Sequence, residues 1–267
     1  MATLSEIRGL IIDMDGVLWR GKQSLPGAAV LLQTLRRRST PFALVTNNAS
    51  ASPASVRTKL LGMGMDVHHA EILGAAEATA AWLADRLARG TLVYVIGEDA
   101  LRTALTQEGF RLAPGAEGVS SVIVGLDRQV NWHNLEEAAL AIQAGALFVG
   151  TNPDLSLPTE RGIAPGNGAI LAALEATTGA KPVIIGKPEP HLFEQALARL
   201  GTPAEATLAL GDRLETDILG GQRAGLPTAL LLTGVTPRED LAHSSIKPDW
   251  VFEDLHGPLD ALGEPQT

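Results

Sequence analysis

Two carboxylates at spacing i, i+2, Asp13 and Asp15, follow the apolar run Leu10-Ile11-Ile12 and precede Gly16. Acids this close repel one another unless a cation or a shared proton intervenes. A hard cation such as magnesium prefers oxygen ligands and is commonly held by one or two carboxylates, water and a phosphate. A carboxylate can also serve as a nucleophile through an aspartyl-phosphate. Three further polar groups end apolar runs in the same way: Thr46-Asn47-Asn48 after Phe42–Val45, Lys187 after Pro182–Gly186, and Asp212 after Thr207–Gly211, with Asp217 five residues on. A hydroxyl and two amides can hold an anion without adding positive charge. A lysine would neutralise phosphate oxygens and restrain repulsion among the acids. Taken singly, these motifs also fit an Asp-rich turn, a polar turn, a solvated lysine and a first-turn acid stabilised by a helix dipole.

The chemistry depends on the elements that position these groups. Successive side chains on a strand point to opposite faces, so Asp13 and Asp15 converge only if the strand ends at Asp13 and the chain turns. Gly16 supplies the freedom for that turn. In open parallel sheets, ligands bind beyond the carboxyl ends of the strands, which is where each group falls. The unbroken apolar runs predict strands buried on both faces, including two near 228–232 and 250–252. Between the second and third groups lies a separate series: a helix over about 70–90, a strand at 92–96, a helix through Leu101 and Leu105, a strand at 121–125, a helix over about 135–144 and a strand at 146–149. Such a βαβαβ order predicts its own parallel sheet. It runs into a polar segment, residues 151–168, with three prolines and three glycines, read as a long functional loop. The fold expected is α/β: a Rossmann-like, doubly wound parallel-sheet core made of residues 1–78 and 182–267, with an inserted α/β domain at 79–181. The tail after Leu262 is expected to be loose.

Composition narrows the partners. The chain has 267 residues and a net charge of −9, against nonspecific binding to nucleic acid or an anionic membrane. It has no cysteine, which excludes disulfides, thiolate catalysis and cysteine-held metals. No signal peptide or membrane-spanning run is visible, so a soluble, cytoplasmic protein is expected.

Taken together and in order, Asp13-Met14-Asp15-Gly16-Val17, Thr46-Asn47-Asn48, Lys187-Pro188 and Gly211-Asp212 with Thr216-Asp217 resemble the four signatures of the haloacid dehalogenase superfamily. The position of the insertion, and Gly150-Thr151-Asn152-Pro153-Asp154, resemble its phosphatases with a C2 cap: the nitrophenyl phosphatase, phosphoglycolate phosphatase and nucleotide phosphatase relatives. The resemblance implies that Asp13 attacks phosphorus and becomes the phosphoaspartate. Asp15 then protonates the leaving oxygen and later takes a proton from water. Thr46 and Asn47, with Asn48 in the same signature, would fix the phosphoryl group, and Lys187 would bind both phosphate and Asp13. Magnesium would be held by Asp13, the Asp15 carbonyl and Asp212, with Asp217 acting nearby through water. In the cap, Thr151, Asn152, Asp154 and the stretch 160–167 would face the leaving group. An acid at position 15 favours ester hydrolysis over dehalogenation, because a halide leaves unprotonated. The implied substrate is a small phosphorylated metabolite, and the resemblance allows a homodimer joined through the cap. The competing reading is a non-catalytic phosphate-binding or aspartyl-phosphorylated regulatory module, distinguished by the absence of turnover.

Overall fold

The structure, a computed structural model, describes residues 4–262; the tail after Leu262 lies outside them. In chain order its strands are β1 (Gly9–Asp13), β2 (Trp19–Arg20), β3 (Gln23–Ser24), β4 (Phe42–Thr46), β5 (Ile72–Gly74), β6 (Leu92–Ile96), β7 (Arg111–Leu112) and β8 (Ser121–Val124). There follow β9 (Leu147–Gly150), β10 (Ser156–Thr159), β11 (Gly162–Pro165), β12 (Val183–Ile184), β13 (Thr207–Gly211), β14 (Thr228–Leu231) and β15 (Trp250–Phe252). The chain divides into two compact units. The first is built from the residues up to Thr46, Pro53–Leu73 and the residues from Lys187 onward; the second is Asn47–Ser52 with Gly74–Gly186.

The first unit is a Rossmann-like α/β core around a six-stranded sheet ordered β15-β14-β13-β1-β4-β5. β1 pairs in parallel with both β13 and β4, and β14 joins β13 to β15 in parallel. Every residue of β1, β4 and β13 is buried, as apolar runs covered on both faces require. Complete burial of Leu10, Ile11 and Ile12 contributes roughly 2 kcal/mol each. The helix Ala28–Arg37 turns Leu31, Leu32 and Leu35 inward, and His191–Leu200 turns in Leu192, Phe193 and Ala196. From β1 the chain adds strands on one side through β4 and β5, then on the other through β13, β14 and β15. Right-handed crossovers therefore send the connecting helices to opposite faces on the two sides of β1. The β1–β13 boundary is thus a topological switch point, where a crevice opens at the strands' carboxyl ends. Register sets Asp13 beside Val45, and Ile12 beside Leu210, so Asp13, Thr46 and Asp212 emerge from adjacent strand ends.

The second unit has a five-stranded parallel sheet ordered β12-β9-β8-β6-β7. Tyr94, Ile96, Val122, Val124 and Phe148 pack there against Ala138 and Ile142 of the helix Trp132–Gln143, and Leu171 and Leu174 of the helix Asn167–Thr178. Asn131 and Asn134 cap the former helix reciprocally: each side-chain oxygen accepts the other's backbone N–H.

Three elements differ from the sequence expectation. The run before Lys187 is not a strand of the first sheet. β12 pairs with β9 of the second sheet, and Ile185 and Gly186 continue the ladder by donating to the Gly150 and Thr151 carbonyls at 3.0 and 2.9 Å. The region 70–90 opens with the short strand β5, and its helix covers only Ala75–Ala84; helix-favouring alanines masked a strand with two large apolar residues. The polar segment 151–168 contains an antiparallel hairpin, β10–β11. Its turn is closed by the Thr159 hydroxyl, which donates to the Gly162 carbonyl at 2.7 Å and accepts from the Arg161 N–H at 3.2 Å. Among the described residues no helix is long and apolar enough to cross a membrane.

Candidate active site

At the switch point of the first unit, Lys187 Nζ donates to Asp13 Oδ1 and, at 2.6 Å, to Asp217 Oδ1. The lysine is 2% exposed, and Asp212 and Asp217 are 3% exposed. Oxygens of Asp13, Asp212 and Asp217 all lie within 4.8 Å of one another. Asp217 is set by a π-helical turn, Leu214–Ile218, separated from β13 only by Asp212 and Arg213; such turns are frequent at functional sites. Its Oδ2 accepts the backbone N–H groups of Asp212 and Arg213 at 3.3 and 3.1 Å. Both Asp217 oxygens are therefore engaged, and Asp217 anchors Lys187 and the β13 exit.

Asp212 is held by a loop that motif reading passed over. Its Oδ2 accepts the Val235 N–H at 2.7 Å, its carbonyl accepts the Thr236 N–H at 3.1 Å, and the Thr236 hydroxyl accepts the Leu214 N–H at 3.2 Å. The loop fits against the carboxylate because position 234 is glycine: a Cβ there would lie 1.7 Å from Asp212 Oδ2. Gly16, at φ 82°, faces the same oxygen, with a Cβ position 2.3 Å away. The signal was available, since Thr233-Gly234 follows an apolar run as the other groups do.

One buried ammonium faces three carboxylates, and the titration directions express that imbalance. Burial raises the Asp13 carboxyl well above its ordinary value; Lys187 opposes this, while Asp217 and Asp212 add to it. Burial, then the Asp217 charge, pushes Asp212 up to about 6 against contacts with Val235 and Lys187. For Lys187, burial acts downward, but Asp13 and then Asp217 outweigh it and raise the ammonium above its ordinary value.

Comparison with known proteins places this geometry. Residues 10–111 match the model of a haloacid dehalogenase-like hydrolase, and residues 184–257 that of a HAD-hydrolase-like family. The chain is 39% identical over 248 residues to a 5'-nucleotidase of Bacillus subtilis, covering 93% of this chain and 96% of that one. The chain belongs to the haloacid dehalogenase-like hydrolases, as one of their phosphatases. It is also 38% identical over 259 residues to an acid sugar phosphatase of Staphylococcus saprophyticus, covering 97% and 99% of the two chains. Among solved structures, the glycerol phosphate phosphatase of Mycobacterium tuberculosis in complex with magnesium superposes with a TM-score of 0.89 at 38% identity, covering 97% of this chain and 78% of that one.

In this phosphatase the sequence-predicted residues fall into two groups. Asp13, Thr46, Lys187, Asp212 and Asp217 are buried in the first unit, while Asp15 stands exposed just beyond β1. The remaining residues belong to the second unit. There Asn152 Nδ2 donates to the Asn47 carbonyl at 2.8 Å, and Asn47 Nδ2 to Asp154 Oδ2 at 3.5 Å. Asn167, the last residue of the stretch 160–167, donates to the Asn152 carbonyl at 2.7 Å and to the Thr151 hydroxyl at 3.4 Å. Thr151 and Asn152 are thus buried parts of a network tying β9 to the helix Asn167–Thr178. Asn48 is exposed, and its Oδ1 accepts from the Ser50 N–H and hydroxyl at 2.9 and 2.8 Å, a local turn.

Proposed function

We propose that this phosphatase hydrolyses small phosphomonoesters through a phosphoaspartate on Asp13. The observation that supports this most is the buried Lys187 ammonium bound to both Asp13 and Asp217 at the sheet's switch point. An Asp13 oxygen forms a bond to phosphorus as the ester P–O bond breaks, and Asp15 gives its proton to the departing oxygen. Water then attacks the phosphoaspartate. Asp15 takes that water's proton, the bond to Asp13 breaks, and inorganic phosphate leaves. Lys187 holds Asp13 in place and opposes the burial that favours its neutral form, and its charge would also face the incoming phosphoryl oxygens. Thr46, the last residue of β4 and next to the Val45 that pairs with Asp13, would donate its hydroxyl to the same oxygens. Little covalent work falls to the protein beyond the nucleophile, so positioning and charge neutralisation carry the rate.

The donor set fits a hard divalent cation. Three carboxylates converge without nitrogen or sulfur ligands, and burial has already raised two of them, so added positive charge is favoured. Asp13 and Asp212 would hold magnesium together with the Asp15 carbonyl, while both Asp217 oxygens remain engaged. When bound, the cation supplies further neutralisation of charge on the phosphoryl oxygens. The leaving group is best sought among nucleoside, sugar and glycerol phosphates, the classes named in the relatives. The test is phosphate release from a panel of these esters, with magnesium or a chelator, by wild type and Asp13→Asn. Magnesium-dependent turnover lost in the variant is expected. Wild type folded with magnesium but inert across the panel would point to the non-catalytic module.

A further inference from the structure

The acid assigned to Asp15 is exposed, and an exposed carboxyl can rotate freely about its terminal torsion. Here it does not. The chain after β1 folds back on itself: the Met14 carbonyl accepts N–H groups from Val17, Leu18 and Trp19 at 3.3, 2.8 and 3.3 Å, and the Gly16 N–H donates to the Trp19 carbonyl at 2.8 Å. Met14, Val17 and Leu18 are buried and fix this turn. Trp19, four residues after Asp15, is thereby returned beside it and is itself 3% exposed. Its indole Nε1 donates to Asp15 Oδ1 at 2.5 Å. On the helix Pro53–Gly62, Lys59 places its Nζ 4.0 Å from the centroid of the Trp19 ring, a cation–π contact that holds the indole in this orientation.

An indole N–H is a donor only. The carboxyl oxygen that accepts it is occupied, which leaves the other to carry a proton. We infer that Trp19 is a positioning residue for Asp15: its N–H fixes the carboxyl with Oδ1 bound and Oδ2 as the proton-bearing oxygen, and Lys59 braces the ring. This rests on the proposed role of Asp15 as acid, and it adds a residue outside the four signatures.

The role makes a prediction that simple structural support does not. Protonation matters most for a strongly basic leaving oxygen, such as an alkoxide, and least for a weakly basic one, such as nitrophenolate. The experiment measures kcat/KM, which reports formation of the phosphoaspartate. It compares 4-nitrophenyl phosphate with the alkyl phosphate of the panel that wild type turns over best, for wild type, Trp19→Phe, Asp15→Asn and the double variant. A positioned acid contributes about 10²–10⁴-fold. Trp19→Phe should therefore lower kcat/KM for the alkyl ester at least about tenfold more than for the aryl ester. In the Asp15→Asn background the same change should leave that ratio unmoved, because the acid through which Trp19 acts is already gone. Both esters are assayed on one preparation, so partial unfolding cancels in the ratio. An active wild type whose ratio is unchanged by Trp19→Phe, or a shift that persists in Asp15→Asn, overturns this inference alone. A wild type inert toward every ester overturns the phosphomonoesterase reading and this one with it.

Discussion

Replacing Asp212 by asparagine should stabilise the metal-free protein and disable it. In the folded chain, burial and the Asp217 charge lift Asp212 from 3.8 to about 6. Because the folded-state value lies above the unfolded one, the native state favours the neutral acid. Above about pH 6 the ionised group opposes folding, and the penalty fades as pH falls from 6 towards 3.8, where both states become protonated. The displacement corresponds to about 3 kcal/mol at neutral pH. An asparagine keeps an oxygen that can accept the Val235 N–H, bears no charge, and escapes the penalty. With an unfolding entropy of about 2.1 cal/mol/K per residue, 3 kcal/mol amounts to roughly 5 °C in Tm if the whole chain melts in one step. Thermal melts of wild type and Asp212→Asn in chelator at pH 7.5 and pH 4.5 test this. The variant should melt higher at pH 7.5, and the gap should shrink to about a third of that by pH 4.5. With magnesium at pH 7.5 the wild type should gain stability and the variant should gain little. A gap that is the same at both pH values would refute the reasoning, because the penalty arises from the titration of Asp212 and of the Asp13 carboxyl that its charge raises.

Two further substitutions probe how the site is built. Gly234→Ala places a Cβ 1.7 Å from Asp212 Oδ2, so the carboxylate must move by an ångström or more. Phosphate release should fall on the order of 10²-fold while circular dichroism still shows a folded chain; full activity would mean that the loop holding Asp212 yields freely. Asn167→Ala removes the buried donor to the Asn152 carbonyl and should destabilise the second unit by about 1–3 kcal/mol. Hydrogen exchange should quicken in β9 more than in β1, and equal quickening would disprove the local effect.

The centre of the first sheet was legible because β1, β4 and β13 are largely apolar runs of five residues with no alternation, a pattern that double-sided burial imposes, and because each leads into a polar group. What was not legible turns on contacts remote in sequence. Pro182–Gly186 reads as apolar enough for either sheet, and only pairing with Val149 and Gly150 decides which. The hairpin within 151–168 rests on backbone pairing between Ser156–Thr159 and Gly162–Pro165, segments in which exposed residues such as Ile163 leave no buried face to produce a periodic pattern. At the site, residue types announced the acids and the lysine. The backbone groups that aim them, such as Val235 N–H, have no side-chain signature, and Trp19 looks like any apolar residue until its N–H is seen on Asp15.

The charge count links these observations. A chain selected for stability alone would not bury three carboxylates around a single ammonium, since an unpaired buried charge costs several kcal/mol. Removing one carboxylate should relieve the metal-free fold, and binding a divalent cation should relieve it without removing anything. The two effects draw on the same repulsion: whatever free energy the cluster subtracts from folding without metal becomes available to cation binding. The arrangement supports a division of labour in which the lysine sets the position of Asp13 permanently, while the remaining negative charge is left for a cation that arrives separately from the fold.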